Sequence, residues 1–268
     1  MTQSSGRNLP DIRGIIADLD GVVFRGDTPI ESAVRSFAAW REAGIPYCFV
    51  TNNSTRTTEE VAAKLTAMGV LTDPGQVIST ATGTRGILRR TWPKGGRAYV
   101  LGAPSLEQAV VEAGFEIAEE RVDCVVAGLD KGFTYARLDR AVSLVMGGAR
   151  LIGTNPDVLL PKDGGFEPGA GSILAAIVAA TRAEPLIVGK PQPHLIQDAV
   201  ARLGIDHGQV IMIGDQLETD IVAAQRAGVF AVLVETGVPN PSGSGITPDL
   251  TVSTLTDLQA IMAGRVKA

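Results

Sequence analysis

A chain of 268 residues that is 45% hydrophobic and 20% charged has the composition of a globular protein, with length for one large domain or two modest ones. A formal net charge of −5 excludes a broad basic surface for nucleic acid, and the longest apolar stretch, Ile173–Ala180, is too short to cross a bilayer. The opening run MTQSSGRNLP lacks an apolar signal core. Cys48 and Cys124 each sit inside an apolar strand-like run, which predicts buried thiols rather than a disulfide, in a cytoplasmic protein.

In chain order, Ile12–Ala17 reads as a strand. Glu31–Ala43 reads as a helix with Pro29 before it and Gly44 as its stop. Pro46–Val50 is a second strand, and Thr58–Met68 is a helix with Val61, Leu65 and Met68 on one face. Ala98–Leu101 and Cys124–Ala127 are further strands, and Leu138, Ala141, Val142 and Val145 mark another amphipathic helix. A strand at Leu186–Val188, a helix carrying Leu195, Ala199 and Leu203, a strand at Val210–Ile213, a helix ending at Gly228 and a strand at Phe230–Val234 follow. Such alternation predicts α/β architecture around a mostly parallel sheet. Residues 80–184 have a strand–helix pattern of their own, which predicts a second domain inserted into one formed by 1–79 and 185–268. The clearest loop is Pro239–Pro248.

Open parallel sheets bind ligands at the carboxyl ends of their strands. Polar clusters lie at four such ends: Asp18-Leu19-Asp20-Gly21, Thr51-Asn52-Asn53-Ser54, Gly189-Lys190-Pro191, and Gly214-Asp215 running on to Asp220. Singly, each has a plain explanation as a turn residue, a helix cap or a solvated lysine. Together, three carboxylates, a hydroxyl and a lysine at the exits of one sheet suit Mg²⁺ and a phosphoryl group. Mg²⁺ takes hard oxygen ligands, and a phosphoryl group needs hydrogen-bond donors and a cation around its oxygens. Spacing by two lets Asp18 and Asp20 face one pocket, because alternate strand side chains share a face.

The segments DLDGVV, VTNNS, VGKPQP and IGDQLETD resemble the four motifs of the haloacid dehalogenase superfamily in order, spacing and strand context. FRGDTPIESA, TNNSTRT, GLDKGFTYARL, GTNPD and EPGAGS narrow the resemblance to the NagD-like subgroup, which also includes phosphoglycolate, glycerol-phosphate and pyridoxal phosphatases. The likeness runs from about Arg13 to about Leu258. The fourth motif departs from the usual pattern in having Gln216 and Glu218, while Asp215 and Asp220 are kept.

The resemblance implies a Rossmann-like α/β/α core with an inserted α/β cap. It implies an Mg²⁺-dependent phosphatase acting on a small phosphorylated metabolite through an aspartyl-phosphate. Asp18 would be the nucleophile and Asp20 the general acid and then base. Asp18, Asp215 and the backbone carbonyl of Asp20 would hold the metal, and Thr51, Asn52 and Lys190 would bind the phosphate. Asp220 would support the metal waters or Lys190, or serve only as a first-turn helix residue. Asn53 and, in the cap, Asn155, Asp157 and the Gly164–Ser172 segment would lie near the substrate. That segment equally reads as a turn before a helix at Ile173, and Ala170 stands where a phosphate-binding P-loop requires lysine. His194 and His207 have no partner at metal spacing and read as structural or exposed.

The implied substrates are glycerol phosphate, phosphoglycolate or a sugar phosphate, with pyridoxal phosphate and nucleoside monophosphates as alternatives. The subgroup implies a homodimer. A dehalogenase is disfavoured by Asp20 and Asp215, and a phosphomutase by the large cap pattern. A receiver-like phospho-module is disfavoured by the chain's length.

Overall fold

The computed structural model describes residues 8–162, 165–237, 239–240 and 243–264. The N-terminal run up to residue 7 lies outside these, as do Gly164 of the glycine-rich segment and residues 241 and 242 of the Pro239–Pro248 loop.

By internal contacts the chain divides into two units. The first comprises the described residues up to Thr51, Thr58–Ile78 and those from Lys190 onward; the second comprises Asn52–Thr57 and Ser79–Gly189.

The first unit is built on a six-stranded sheet ordered Leu250–Val252, Phe230–Val234, Val210–Gly214, Gly14–Ala17, Tyr47–Thr51, Val77–Ser79. The four strands from Gly14–Ala17 to Leu250–Val252 pair in parallel, as does Gly14–Ala17 with Tyr47–Thr51. They read as nearly unbroken apolar runs because both faces of the sheet are covered. On one face Ile15, Ala17, Phe49, Ile211 and Ile213 pack with Phe37, Trp40, Leu65, Leu255 and Leu258 from the helices Glu31–Glu42, Thr58–Ala67 and Leu255–Met262. Phe37 anchors this layer, its ring centroid 5.1 Å from Trp40 and 5.0 Å from both Tyr47 and Phe49. The alternate residues Ile16, Cys48 and Met212 are buried on the opposite side, where the helix His194–Leu203 packs on Gly14–Ala17 and Tyr47–Thr51. Helices on both faces make this a three-layer α/β/α core.

Gly14–Ala17 is central. The chain winds from it towards Tyr47–Thr51 on one side and Val210–Gly214 on the other. Its carboxyl end is therefore the topological switch point, where neighbouring connections leave in opposite directions and open a crevice.

The second unit has a five-stranded parallel sheet ordered Leu186–Ile187, Arg150–Gly153, Cys124–Ala127, Gly96–Leu101, Phe115–Ile117. The helices Thr80–Thr91 and Pro104–Glu112 pack on each other, as do Tyr135–Met146 and Ala170–Thr181. Its core gathers Tyr99, Leu101, Val125, Leu151, Leu174 and Ile177.

Three local readings are corrected. The first strand begins at Gly14 rather than Ile12. The helix expected to end at Gly228 is Val222–Arg226, preceded by a wide π-turn over Leu217–Ile221. Where a turn before Ile173 was expected, Gly165–Pro168 is a strand paired antiparallel with Leu159–Lys162, and the helix starts at Ala170. Gly171 enters the first turn because the backbone passes close there: a Cβ would strike the Pro156 carbonyl.

Both cysteines are buried free thiols. Among the described residues no helix is long and apolar enough to cross a membrane.

Candidate active site

The central strand ends at Ala17, but the Asp18 amide still donates to the Ile213 carbonyl (2.9 Å), so the ladder holds Asp18 beside the neighbouring strand. The chain then curls tightly. The Leu19 carbonyl accepts from Val23 N (2.8 Å), and Gly21 N donates to the Phe24 carbonyl (2.8 Å). Gly21 has φ +76, and a Cβ there would overlap the Asp215 carboxylate; strain and crowding both require glycine.

Four of the expected site residues meet at this end of the sheet. Lys190 Nζ donates to Asp18 Oδ1 (2.7 Å) and to Asp220 Oδ1 (2.6 Å). Asp18, Asp215 and Asp220 are all buried, and each offers a carboxylate oxygen within 4.8 Å of the others. The wide turn Leu217–Ile221 brings Asp220 back towards its own start, where its Oδ2 accepts from Gln216 N (3.1 Å). π-turns of this kind recur at functional sites. Thr51 is buried at the exit of the adjacent strand, and Asp20 is exposed.

Burial is the largest influence on Asp18 and pushes its carboxyl well above the usual range. The Lys190 ammonium opposes this, and the Asp220 and Asp215 carboxylates add to it. Burial alone would lower Lys190, but Asp18 and Asp220 outweigh it and hold the ammonium firmly protonated.

Three carboxyl groups face a single ammonium in this buried cluster, so anionic oxygen is in excess of its counter-charge. A hard dication is the complement, and all-oxygen donors suit Mg²⁺. The cradle also fits: Gly21 and Gly237 pack so closely on the Asp215 carboxylate that neither position has room for a side chain.

The remaining candidates lie in the second unit. The Asn52 carbonyl accepts from Asn155 Nδ2 and Thr80 Oγ1 (both 2.8 Å), and Asn52 Nδ2 donates to Asp157 Oδ2 (3.0 Å). Asn52, Asn155 and Asp157 thus form one network. Asn53 Oδ1 instead accepts from Thr55 N and Thr55 Oγ1 (both 2.7 Å) in a local turn. His207 is exposed.

Residues not singled out in the sequence also build the site. Thr236 Oγ1 donates to the Gly21 carbonyl (2.7 Å), and Asn240 Nδ2 donates to the Asp215 carbonyl (2.7 Å). No spacing or composition signal marks them, because they act on loops far away in sequence.

Residues 15–116 match the family model of haloacid dehalogenase-like hydrolases, and residues 187–258 match a second model of HAD-like hydrolases. The chain belongs to this family. It is 39% identical to an acid sugar phosphatase of Staphylococcus aureus (strain MRSA252), over 86% of this chain and 89% of that one. It is 35% identical to the 5'-nucleotidase YutF of Bacillus subtilis (strain 168), over 84% and 88%. The solved structure of NagD from E. coli K-12 superposes with a TM-score of 0.85 at 28% identity, over 92% of this chain and 98% of that one. Within the family the chain falls in the NagD-like capped subgroup.

Proposed function

We propose that this phosphoric monoester hydrolase uses Asp18 as nucleophile, Asp20 as general acid and base, and Mg²⁺ as cofactor, on a compact polar phosphate monoester such as a sugar or glycerol phosphate. The observation that carries the reading is the buried cluster of Asp18, Lys190, Asp215 and Asp220 at the switch point of the sheet.

Asp18 attacks phosphorus in line. The new bond from its carboxylate oxygen to phosphorus forms as the bond to the leaving oxygen breaks, and Asp20 gives that oxygen its proton. In the second step Asp20 takes a proton from water as the water oxygen attacks phosphorus, which frees Asp18 and inorganic phosphate. The exposure of Asp20 suits a group that must exchange protons, and the burial of Asp18 suits one that must stay fixed. Lys190 and the Thr51 hydroxyl balance and bind the phosphoryl oxygens, helped by the Asn52 amide, while Asp220 holds Lys190 in place. Asp18, Asp215 and the Asp20 carbonyl would hold Mg²⁺, which offsets the repulsion between nucleophile and phosphate.

A nucleoside monophosphate is the second reading. One relative at 35% identity is a 5'-nucleotidase. The same proposal makes the protein a cytoplasmic homodimer; a monomer mass by light scattering would count against the dimer.

The test is phosphate release from a panel of monoesters with Mg²⁺ or EDTA. Mg²⁺-dependent turnover led by sugar or glycerol phosphates supports the proposal. Turnover led by nucleotides favours the second reading, and turnover unaffected by EDTA refutes the metal assignment.

A further inference from the structure

We infer that Asn240 is a positioning residue for the metal site, acting through Asp215. The inference rests on the metal reading just proposed and adds a residue that none of the four motifs contains.

Asp215 opens the loop that leaves the strand Val210–Gly214, where the sheet no longer pairs the backbone. Two of that loop's polar groups are taken up by one side chain. Asn240 Nδ2 donates to the Asp215 carbonyl (2.7 Å), and Asn240 Oδ1 accepts from the Leu217 amide (2.7 Å). An amide side chain offers a donor and an acceptor in one plane, two bonds apart and without charge. Aspartate could still accept from Leu217, but it would lose the donor and bring another negative charge to a cluster that already carries an excess of it.

Thr236 and Gly237, which like Asn240 follow the strand Phe230–Val234, reach the same loops. Thr236 Oγ1 donates to the Gly21 carbonyl (2.7 Å), one residue after Asp20, and Arg25 Nε donates to the Thr236 carbonyl (2.6 Å). Gly237 lies directly against the Asp215 carboxylate. Thr236 is thus tied to the loop bearing Asp18 and Asp20, and Asn240 to the loop bearing Asp215. The two ligand-bearing loops are held by these ties as well as by strand pairing. Side chains that orient ligands in this way typically change metal affinity by about 10–100-fold when removed.

The experiment is calorimetric titration of the EDTA-stripped full chain with MgCl₂ alone, beside the Mg²⁺ dependence of phosphate release. Asn240→Ala is expected to weaken Mg²⁺ binding about 10–100-fold and to raise half-saturating Mg²⁺ by the same factor, with kcat recovered to within about threefold at saturating metal. Asn240→Asp, which keeps the shape and should fold even if the alanine variant does not, is expected to weaken binding too. Thr236→Val should act in the same direction, with Thr236→Ser restoring affinity. Variants that melt lower in EDTA yet bind Mg²⁺ as tightly as wild type would show a purely structural role and overturn the inference. A wild-type chain that binds no Mg²⁺ in the calorimeter would instead overturn the metal reading itself.

Discussion

Asp18→Asn keeps the side chain's shape and removes its charge, so it separates the chemistry of this residue from its cost. The carboxylates of Asp215 and Asp220 lie within 4.8 Å, and the Lys190 ammonium lies at 2.7 Å. At an effective dielectric of about 20, each like charge costs about 3 kcal/mol and the ammonium returns about 6 kcal/mol, so the pairwise interactions nearly cancel. What remains is the lost hydration of a buried ion, which is the main reason the Asp18 carboxyl is raised. A carboxyl raised in the folded state adds stability below its unfolded value, and that stability is lost as pH rises through the folded value. At neutral pH the metal-free protein therefore carries a cost that asparagine does not. In EDTA at pH 7.5 the variant should melt about 3–6 °C higher than wild type, for a gain of about 1–2 kcal/mol. The difference should shrink towards pH 4. Phosphate release should meanwhile fall to the uncatalysed rate, and added Mg²⁺ should raise the melting temperature of wild type alone. Scanning fluorimetry and a phosphate assay read both effects. A variant that melts below wild type in EDTA at pH 7.5 would show that the Lys190–Asp18 pair is net stabilising and that this accounting is wrong.

Burial raises the Cys48 thiol to about 11 and the Cys124 thiol to about 12, so at pH 8 the native chain should resist a disulfide reagent that labels both in urea; rapid labelling of the native protein would contradict their burial. Arg182 closes the helix Ala170–Thr181 in the left-handed region at φ 57, so Arg182→Gly should stabilise by about 0.5–1 kcal/mol, and a lower melting temperature would refute this. Gly237→Ala places a Cβ into the Asp215 side chain and should raise half-saturating Mg²⁺ about 10–100-fold. Wild-type Mg²⁺ dependence in that variant would mean that the cradle yields at no cost.

The parts of the fold that read clearly from the sequence are those where burial writes itself into composition. Val210–Gly214 and Tyr47–Thr51 are fully buried strands, so they appear as apolar runs, and the polar residues at their exits stand out by contrast. Val77–Ser79 and Leu250–Val252 are edge strands of three residues each, too short to rise above the flanking apolar positions. The hairpin at Leu159–Lys162 and Gly165–Pro168 carries Pro161 and Pro168 and an exposed Phe166, which mutes the alternation that would mark a strand. The clustering of Asp18, Lys190 and Asp220 was expected because each follows a strand or opens a helix. Asn240 was not, since the turn-rich run around it has the composition of any surface loop. Its partners, Asp215 and Leu217, become neighbours only once the sheet has formed.

The chain crosses between the two units four times, after Thr51, before Thr58, after Ile78 and before Lys190. Asp18, Thr51, Lys190, Asp215 and Asp220 therefore all belong to the first unit, with Thr51 at the first departure of the chain and Lys190 at its last return. The second unit can be exchanged as a module without carrying off any of these five side chains. Such a layout keeps these side chains within one unit, and it marks residues 52–57 together with 79–189 as a separable module whose exchange between relatives would measure what it contributes.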